Sequence, residues 1–187
     1  MTIRVGIGGW SYEAWDESFY PASLPKAKQL EYAACKLTAI EINATFYRTQ
    51  SAASFQKWAA ATPDGFKFSV KAPRAAVQRK DLREAKDSIE RLFNSGVGEL
   101  GEKLGPIFWQ MAPYKKFDAD EMSAYFAMLP RDLKKRPLRH ALEVRHASFD
   151  CDAFKEMARK HNIAIVTVES EKHPLIVEPT AEFAYAR

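Results

Sequence analysis

Cysteine is scarce in this chain: Cys35 and Cys151 are the only two in 187 residues. They lie far apart in the sequence, outside any CxxC pair or Cys/His cluster, which excludes a disulfide framework and a thiolate zinc site. No stretch of about eighteen apolar residues occurs, so no helix is expected to span a membrane. The chain opens without an apolar signal region, so a reducing cytoplasm is the expected setting and the Asn43-Ala44-Thr45 sequon is expected to go unused. An excess of one charge is lacking too: 28 basic against 24 acidic residues leave +4, a mild preference for anionic partners and no more. The basic run Lys134-Lys135-Arg136 reads as a solvated loop. No Walker A loop, G-x-S-x-G elbow, linker, low-complexity tract or repeat is present. Gly96-Val-Gly98-Glu-Leu-Gly101 matches G-x-G-x-x-G, but it follows a helical pattern and precedes a strand, the reverse of a dinucleotide site. Gly6-Ile-Gly8-Gly9 does follow a strand, yet Trp10-Ser11-Tyr12 continue it as a bulky loop.

What is present is the composition of a folded protein. Aliphatic and aromatic residues make up 47% of the chain, too much for disorder. The length suits one domain, residues 1–187, with its own core. β-type runs occur at 3–8, 39–43, 66–72, 106–112, 140–146, 163–169 and 183–187. Helical patterns fill most intervals, at 25–37, 51–61, 81–95, 119–129 and 150–161. Ser51 and Asp150 are expected N-caps, and Asp118 or Asp120 is expected to cap the fourth helix. The interval 170–182 contains Pro174 and Pro179 and reads as loop. Repeated β-then-α units point to parallel strands with helices outside.

Two architectures fit that order, an open doubly wound sheet and a (β/α) barrel. Alternate residues of a strand face opposite sides. Ile40 and Ile42 oppose Glu41 and Asn43; Phe66, Phe68 and Val70 oppose Lys67, Ser69 and Lys71; Leu142 and Val144 oppose Glu143 and Arg145. Thr167 is expected to share a face with Glu169, and Tyr185 with Arg187. Each strand thus has one aliphatic face and one that grows polar towards its C-terminal end. An open sheet covered on both sides needs two apolar faces. A barrel packs its outer face on helices and carries polar groups at the C-terminal mouth. The expected fold is therefore a TIM-type (β/α) barrel, incomplete, with about seven of the usual eight strands visible.

The stretches GIGGWSYEAWDESFYP (6–21), EINATFYR (41–48), FKFSVKAPR (66–74), LGPIFWQMAP (104–113), LEVRHASF (142–149) and YAR (185–187) together resemble the DUF72 family, also called YecE-like or UPF0759. The motifs run in the family's order along the whole chain. The resemblance implies a TIM-barrel fold, an activity not established, and a suggested relation to sugar isomerases that rests on fold analogy. Family members usually continue past the Tyr-x-Arg segment into a His-Gly turn and further barrel elements. The resemblance therefore implies a C-terminal truncation here. The position of Glu169 is often Asp in such proteins.

A barrel mouth would gather Glu41, Lys71, Glu143, His146 and Glu169 as candidate catalytic groups. Trp10, Tyr12, Asn43, Tyr47, Arg48, Arg74, Gln110, Arg145, Tyr185 and Arg187 are the candidate ligand-binding groups. Inward Glu41, Glu143 and Glu169 balance Lys71, Arg145 and Arg187, as a partly buried network requires. Such a network also suits a purely structural role, filling the barrel and fixing its register. Glu143 or Glu41 suits a general base; Lys71 suits an electrostatic stabiliser or a Schiff-base nucleophile. Arginine forks suit a carboxylate or phosphate, and the aromatic side chains suit a sugar or base. His146 suits a proton shuttle, while a metal is disfavoured by the neighbouring cations and no cofactor is called for. The expectation is an anionic or sugar-like small-molecule ligand with isomerase, lyase or hydrolase chemistry. A nucleic-acid or nucleotide module and an inactive truncated barrel are the alternatives.

Overall fold

Parallel neighbours cannot be joined by a tight turn, so each needs a crossover, and this chain supplies one between every successive pair of sheet strands. The computed structural model describes residues 2–187. Strand β1 (Gly6–Gly8) leads through α1 (Gln29–Lys36) to β2 (Ala39–Ile42). A short α2 (Ala44–Tyr47) and then α3 (Ala52–Ala60) connect β2 to β3 (Lys67–Lys71). After β3 come a one-turn α4 (Arg74–Val77), α5 (Lys86–Asn94) and β4 (Leu104–Gln110). Then α6 (Ala119–Met128) precedes a small hairpin, β5 (Asp132–Leu133) and β6 (Arg136–Pro137). The chain continues through β7 (His140–Glu143) and α7 (Asp152–Lys160) to β8 (Ile163–Ile165). Six strands form one sheet in the order β1-β2-β3-β4-β7-β8, every pair parallel. The order follows the chain without reversal, unlike a doubly wound sheet, whose order reverses at a switch point.

The basic run is not a plain loop. Lys134 and Lys135 form the hairpin turn with φ of 51° and 65°, the left-handed pair that a two-residue hairpin needs. Ser51 caps α3 by accepting from Ser54 N, and Asp118, not Asp120, caps α6 by accepting from Glu121 N at 2.8 Å. Asp150 does not cap α7. The preceding residues turn as a 3-10 helix, Cys151 takes the cap position, and Asp150 pairs instead with Lys155 at 2.8 Å.

Alternation divides the core in two. Ile40, Ile42, Phe68, Val70, Ile107, Trp109, Leu142, Ile163 and Ile165 pack with the helices in the larger cluster. Phe108, Ala141, Ala164 and Val166, of opposite parity, form a small cluster with Val168, Ala181, Phe183 and Tyr185. The helix-covered face thus carries the main core, and the other face a smaller cluster that mixes alanine and valine with the rings of Phe108, Phe183 and Tyr185.

Residues 185–187 show how far the sheet curls. This segment runs beside the continuation of β8, through Thr167 N to Tyr185 O and Arg187 N to Thr167 O. In a flat sheet it would stand five strand spacings from β2, about 24 Å. Yet Tyr185 Oη donates to Glu41 Oε2 of β2 at 2.8 Å. The expected seventh strand is therefore a bridged segment rather than a full strand. Among the described residues no pairing joins it to β1, and the hydrogen-bonded sheet is open.

At the start of β7, His140 is buried with both ring nitrogens engaged. Trp109 Nε1 donates to Nδ1 at 3.0 Å, and Nε2, carrying the proton, faces Pro130 O at 2.8 Å. Burial lowers its pKa, with the Pro130 carbonyl pulling the other way. The unfolded chain then binds the extra proton first. Stability is full above the unfolded value of about 6.5 and falls by up to about 1.4 kcal/mol per pH unit below it. Urea denaturation between pH 7 and pH 5 should show that slope, and His140→Gln should remove it.

Candidate functional site

The concave face carries its polar groups at the C-terminal strand ends. Glu41 and Asn43 come from β2 and its end, Ser69 and Lys71 from β3, Gln110 from β4, and Glu143 and Arg145 from β7 and its end. Register places Glu41 beside Ser69, and Gln110 beside Glu143. Between them β3 and β4 slip register from Phe68–Leu104 to Val70–Ile107, an irregularity that re-aims side chains beside it. Gly8 of β1 lies opposite Glu41, and a Cβ there would stand 3.1 Å from Asn43 Nδ2. Its bare backbone leaves room over both side chains.

Arg187 joins the two carboxylates. Its Nη1 donates to Glu143 Oε2 at 2.7 Å, its Nη2 to Glu41 Oε1 at 3.2 Å, and its Nε lies 3.2 Å from Glu41 Oε2. Glu143, with no exposed side-chain surface, also accepts from Gln110 Nε2 at 2.8 Å and Arg145 Nε at 2.7 Å. Burial pushes the Glu143 carboxyl up, but the bonds and charges of Arg187 and Arg145 more than reverse this and hold it below the usual range. Burial likewise opposes the Arg187 charge, and Glu41 and Glu143 overcome it, so the guanidinium is held more firmly charged. Tyr185 Oη, between Glu41 and Ser69 Oγ (2.9 Å), is pushed well above an ordinary phenol, first by burial and then by the Glu41 charge.

Phe108 is the floor of this cluster. Tyr185 stacks on it at 5.6 Å and 10°, and the Arg187 guanidinium stands 4.7 Å from its centroid. Lys71 Nζ lies 5.8 Å from the same ring and 4.6 Å from Phe46. Lys71 is pushed below an ordinary lysine, chiefly by burial and further by Arg187 and Arg145, while Glu41 and Glu143 pull it back. Phe108 and Phe46 are not among the sequence candidates. Phe108 had a signal, since it shares parity with Gln110.

Other candidates lie elsewhere. Glu169, expected to face inward with Thr167, is exposed. Val166 and Val168 take the inward positions, which puts Glu169 on the opposite parity. His146 uses Nδ1 to accept from Ser148 N at 3.1 Å, capping the 3-10 turn at Ala147–Phe149, and has no bond to Glu143. Tyr47, Arg48 and Arg74 sit after their strands as expected but are exposed, with Arg74 donating to Gln78 Oε1. Trp10 packs edge-on against Trp58 at 5.5 Å, and Tyr12 donates to the Gly8 carbonyl. Two open clefts of about 470 and 610 Å³ lie along Lys80, Asp118 and Glu121 and are lined by none of the clustered side chains. Glu121, which lines both, pairs at 2.7 Å with the buried Lys115 of the first. Among the described residues no group of three or more His, Cys, Asp or Glu side chains is arranged to hold a metal, and no helix is long and apolar enough to cross a membrane.

A family model described as "Protein of unknown function DUF72" matches residues 4–187. The chain belongs to the DUF72 family. It is 27% identical over 183 residues to the UPF0759 protein YunF of Bacillus subtilis, a match covering 95% of this chain and 61% of that protein. The chain thus spans less than two thirds of that relative's length. A DUF72 structure from Thermotoga maritima superposes with TM-score 0.79 at 26% identity, covering 98% of this chain and 72% of that one. A DUF72 structure from Enterococcus faecalis gives 0.75 at 16% identity, covering 96% and 67%, a likeness of fold alone. These comparisons support the DUF72 assignment made on the sequence motifs.

Proposed function

We propose that the curled sheet is the larger part of a TIM-type barrel whose concave face binds a small anionic, sugar-like molecule for acid/base chemistry of the isomerase kind. One observation carries the reading: with Glu169 outside, the cluster holds two carboxylates, Glu41 and Glu143, against three cations, Lys71, Arg145 and Arg187. Among the described residues that leaves one positive charge of the cluster without a side-chain counter-charge, in a partly desolvated place, which favours an anion. The unpaired carboxamide oxygen of Asn43, buried beside Glu41, supplies an acceptor for a ligand hydroxyl. Arg145 spends only its Nε on Glu143; among the described residues its terminal nitrogens have no side-chain or backbone acceptor and can fork onto a carboxylate or phosphate. A nucleic-acid groove is less well supported, because Arg187 is committed to carboxylates while Arg48 and Arg74 are scattered on the surface. The unpaired cysteines fit the reducing cytoplasm as its compartment.

A thermal-shift screen of sugar phosphates, sugar acids and neutral sugars tests this. Anionic compounds should raise the melting temperature and their neutral counterparts should not. Arg145→Met should weaken the best hit about tenfold or more, the worth of a charged hydrogen bond. A hit unaffected by Arg145→Met, or a screen with only neutral hits, would remove this reading.

A further inference from the structure

Glu41 and Glu143 offer four carboxylate oxygens, and all are taken: by Arg187 and Tyr185 on Glu41, and by Gln110, Arg145 and Arg187 on Glu143. Lys71 is left over. Among the described residues its Nζ makes no hydrogen bond or ion pair, although it belongs to the same face and feels both carboxylates. Its nearest neighbours of note are the rings of Phe46 and Phe108, at 4.6 and 5.8 Å. An ammonium in that position has lost part of its water; the ring faces attract it, but they offer no hydrogen-bond acceptor in return. Lys71 is still the uncompensated cation of the resting site. It gives up its proton more readily than an exposed lysine does, however, and the free amine is the nucleophilic form. The burial-driven lowering of its pKa described above acts in the same direction.

We propose that Lys71 is the nucleophile of this site and takes the carbonyl carbon of an anionic aldehyde or ketone as an imine. This rests on the ligand site proposed above and names the reacting group of its substrate. The Nζ lone pair adds to the carbonyl carbon, and one amine proton passes to the carbonyl oxygen, giving a carbinolamine. That hydroxyl then leaves as water with the second amine proton while the C=N bond forms. Amine and carbonyl become imine and one water, with no oxidant or reductant. Glu41 is the carboxylate whose charge bears most on Lys71, but its oxygens are occupied, so the protons pass between amine and carbonyl oxygen through solvent. The imine in turn acidifies the neighbouring carbon, which is what an isomerase or lyase acting on a carbonyl compound needs.

Glyceraldehyde 3-phosphate with cyanoborohydride at pH 7 tests the step, read by peptide mass mapping. Lys71 should be alkylated about tenfold or more faster than the exposed lysines, as an activated amine would be. Glycerol 3-phosphate, the same anion without a carbonyl, should slow that labelling and raise the melting temperature. Lys71→Arg should lose the adduct while keeping the native chain's far-ultraviolet circular dichroism spectrum and cooperative melt, which shows that the variant is folded. If glycerol 3-phosphate shifts the melt but Lys71 labels no faster than the surface, the imine is overturned and the anion site stands. If Lys71 labels fast without any glycerol 3-phosphate effect, the imine stands and the anion preference falls. If neither occurs, both fall.

Discussion

Arg187→Ala should destabilise the fold by about 3 kcal/mol at pH 7, because removing one partner strands a buried charge. Glu143 has no exposed side-chain surface and Glu41 only 6%, and Arg187 binds both. Without it Glu143 keeps Arg145 and Gln110, but Glu41 keeps only the Tyr185 hydroxyl. The cost should therefore fall mostly on Glu41, and adding Glu41→Gln should restore much of the loss. The pH dependence carries a sign of its own. In the native chain the depressed Glu143 contributes stability above the unfolded value of about 4.3, lost as pH falls through its lower folded value. In Arg187→Ala the upward push of burial is less opposed, so acid relieves the variant instead of harming it. The gap between the two proteins should be widest near neutrality and shrink below about pH 4.3. Urea melts at pH 7 and pH 4 measure it. A gap that stays constant would show that Arg187 contributes packing over Phe108 rather than charge.

The same residues show how far the sequence could be read. Ile40 and Ile42 facing the helices, with Glu41 and Asn43 on the other face, followed from alternation alone, and the structure has them so. Glu143, Tyr185 and Arg187 were placed by the same rule and meet in one cluster with Gln110, a candidate by its place near a strand end. Alternation failed where the strand failed. β8 ends at Ile165, and past it a single bridge at Thr167 governs direction, so extending the period to Glu169 put that carboxylate on the wrong side. That error matters chemically, since the balance of three acids and three bases becomes an excess of one cation. The isolation of Lys71 was not legible either. It depends on Arg187 reaching Glu41 across 146 positions of sequence and filling its oxygens first, which no local pattern records. The expected Asp150 cap failed for a similar reason, as a 3-10 turn just before α7 moved the cap position one residue on, to Cys151. The unreversed strand order supports the barrel proposed above, while pairing among the described residues leaves the six-stranded parallel sheet open.

Trp109→Ala should cost about 3–5 kcal/mol, the range for truncating a buried large aromatic residue. Trp109 is fully buried on the helix-covered face, edge-on to Tyr125 of α6 at 6.1 Å and 90°. Its Nε1 also satisfies His140 Nδ1, so truncation opens a cavity and leaves a buried acceptor unpaired. Trp109→Phe separates the two effects: it keeps most of the ring volume and removes the donor, at about 1–3 kcal/mol. With Nδ1 unpaired, the His140 ring can take a proton there, so Trp109→Phe should also weaken the acid sensitivity that His140 confers. The consequence for the site comes through the strand. Phe108 and Gln110 flank Trp109 and point to the other face, where one floors the charge cluster and the other holds Glu143. A strand that settles into the Trp109 cavity moves both. Trp109→Ala should therefore lose glycerol 3-phosphate binding as well as stability, whereas Trp109→Phe should keep binding while losing stability. If Trp109→Ala unfolds at a lower urea concentration yet binds as the native chain does, the two faces of β4 are mechanically independent. The site would then be held by its ion pairs alone, and Arg187→Ala should be the more damaging change for binding.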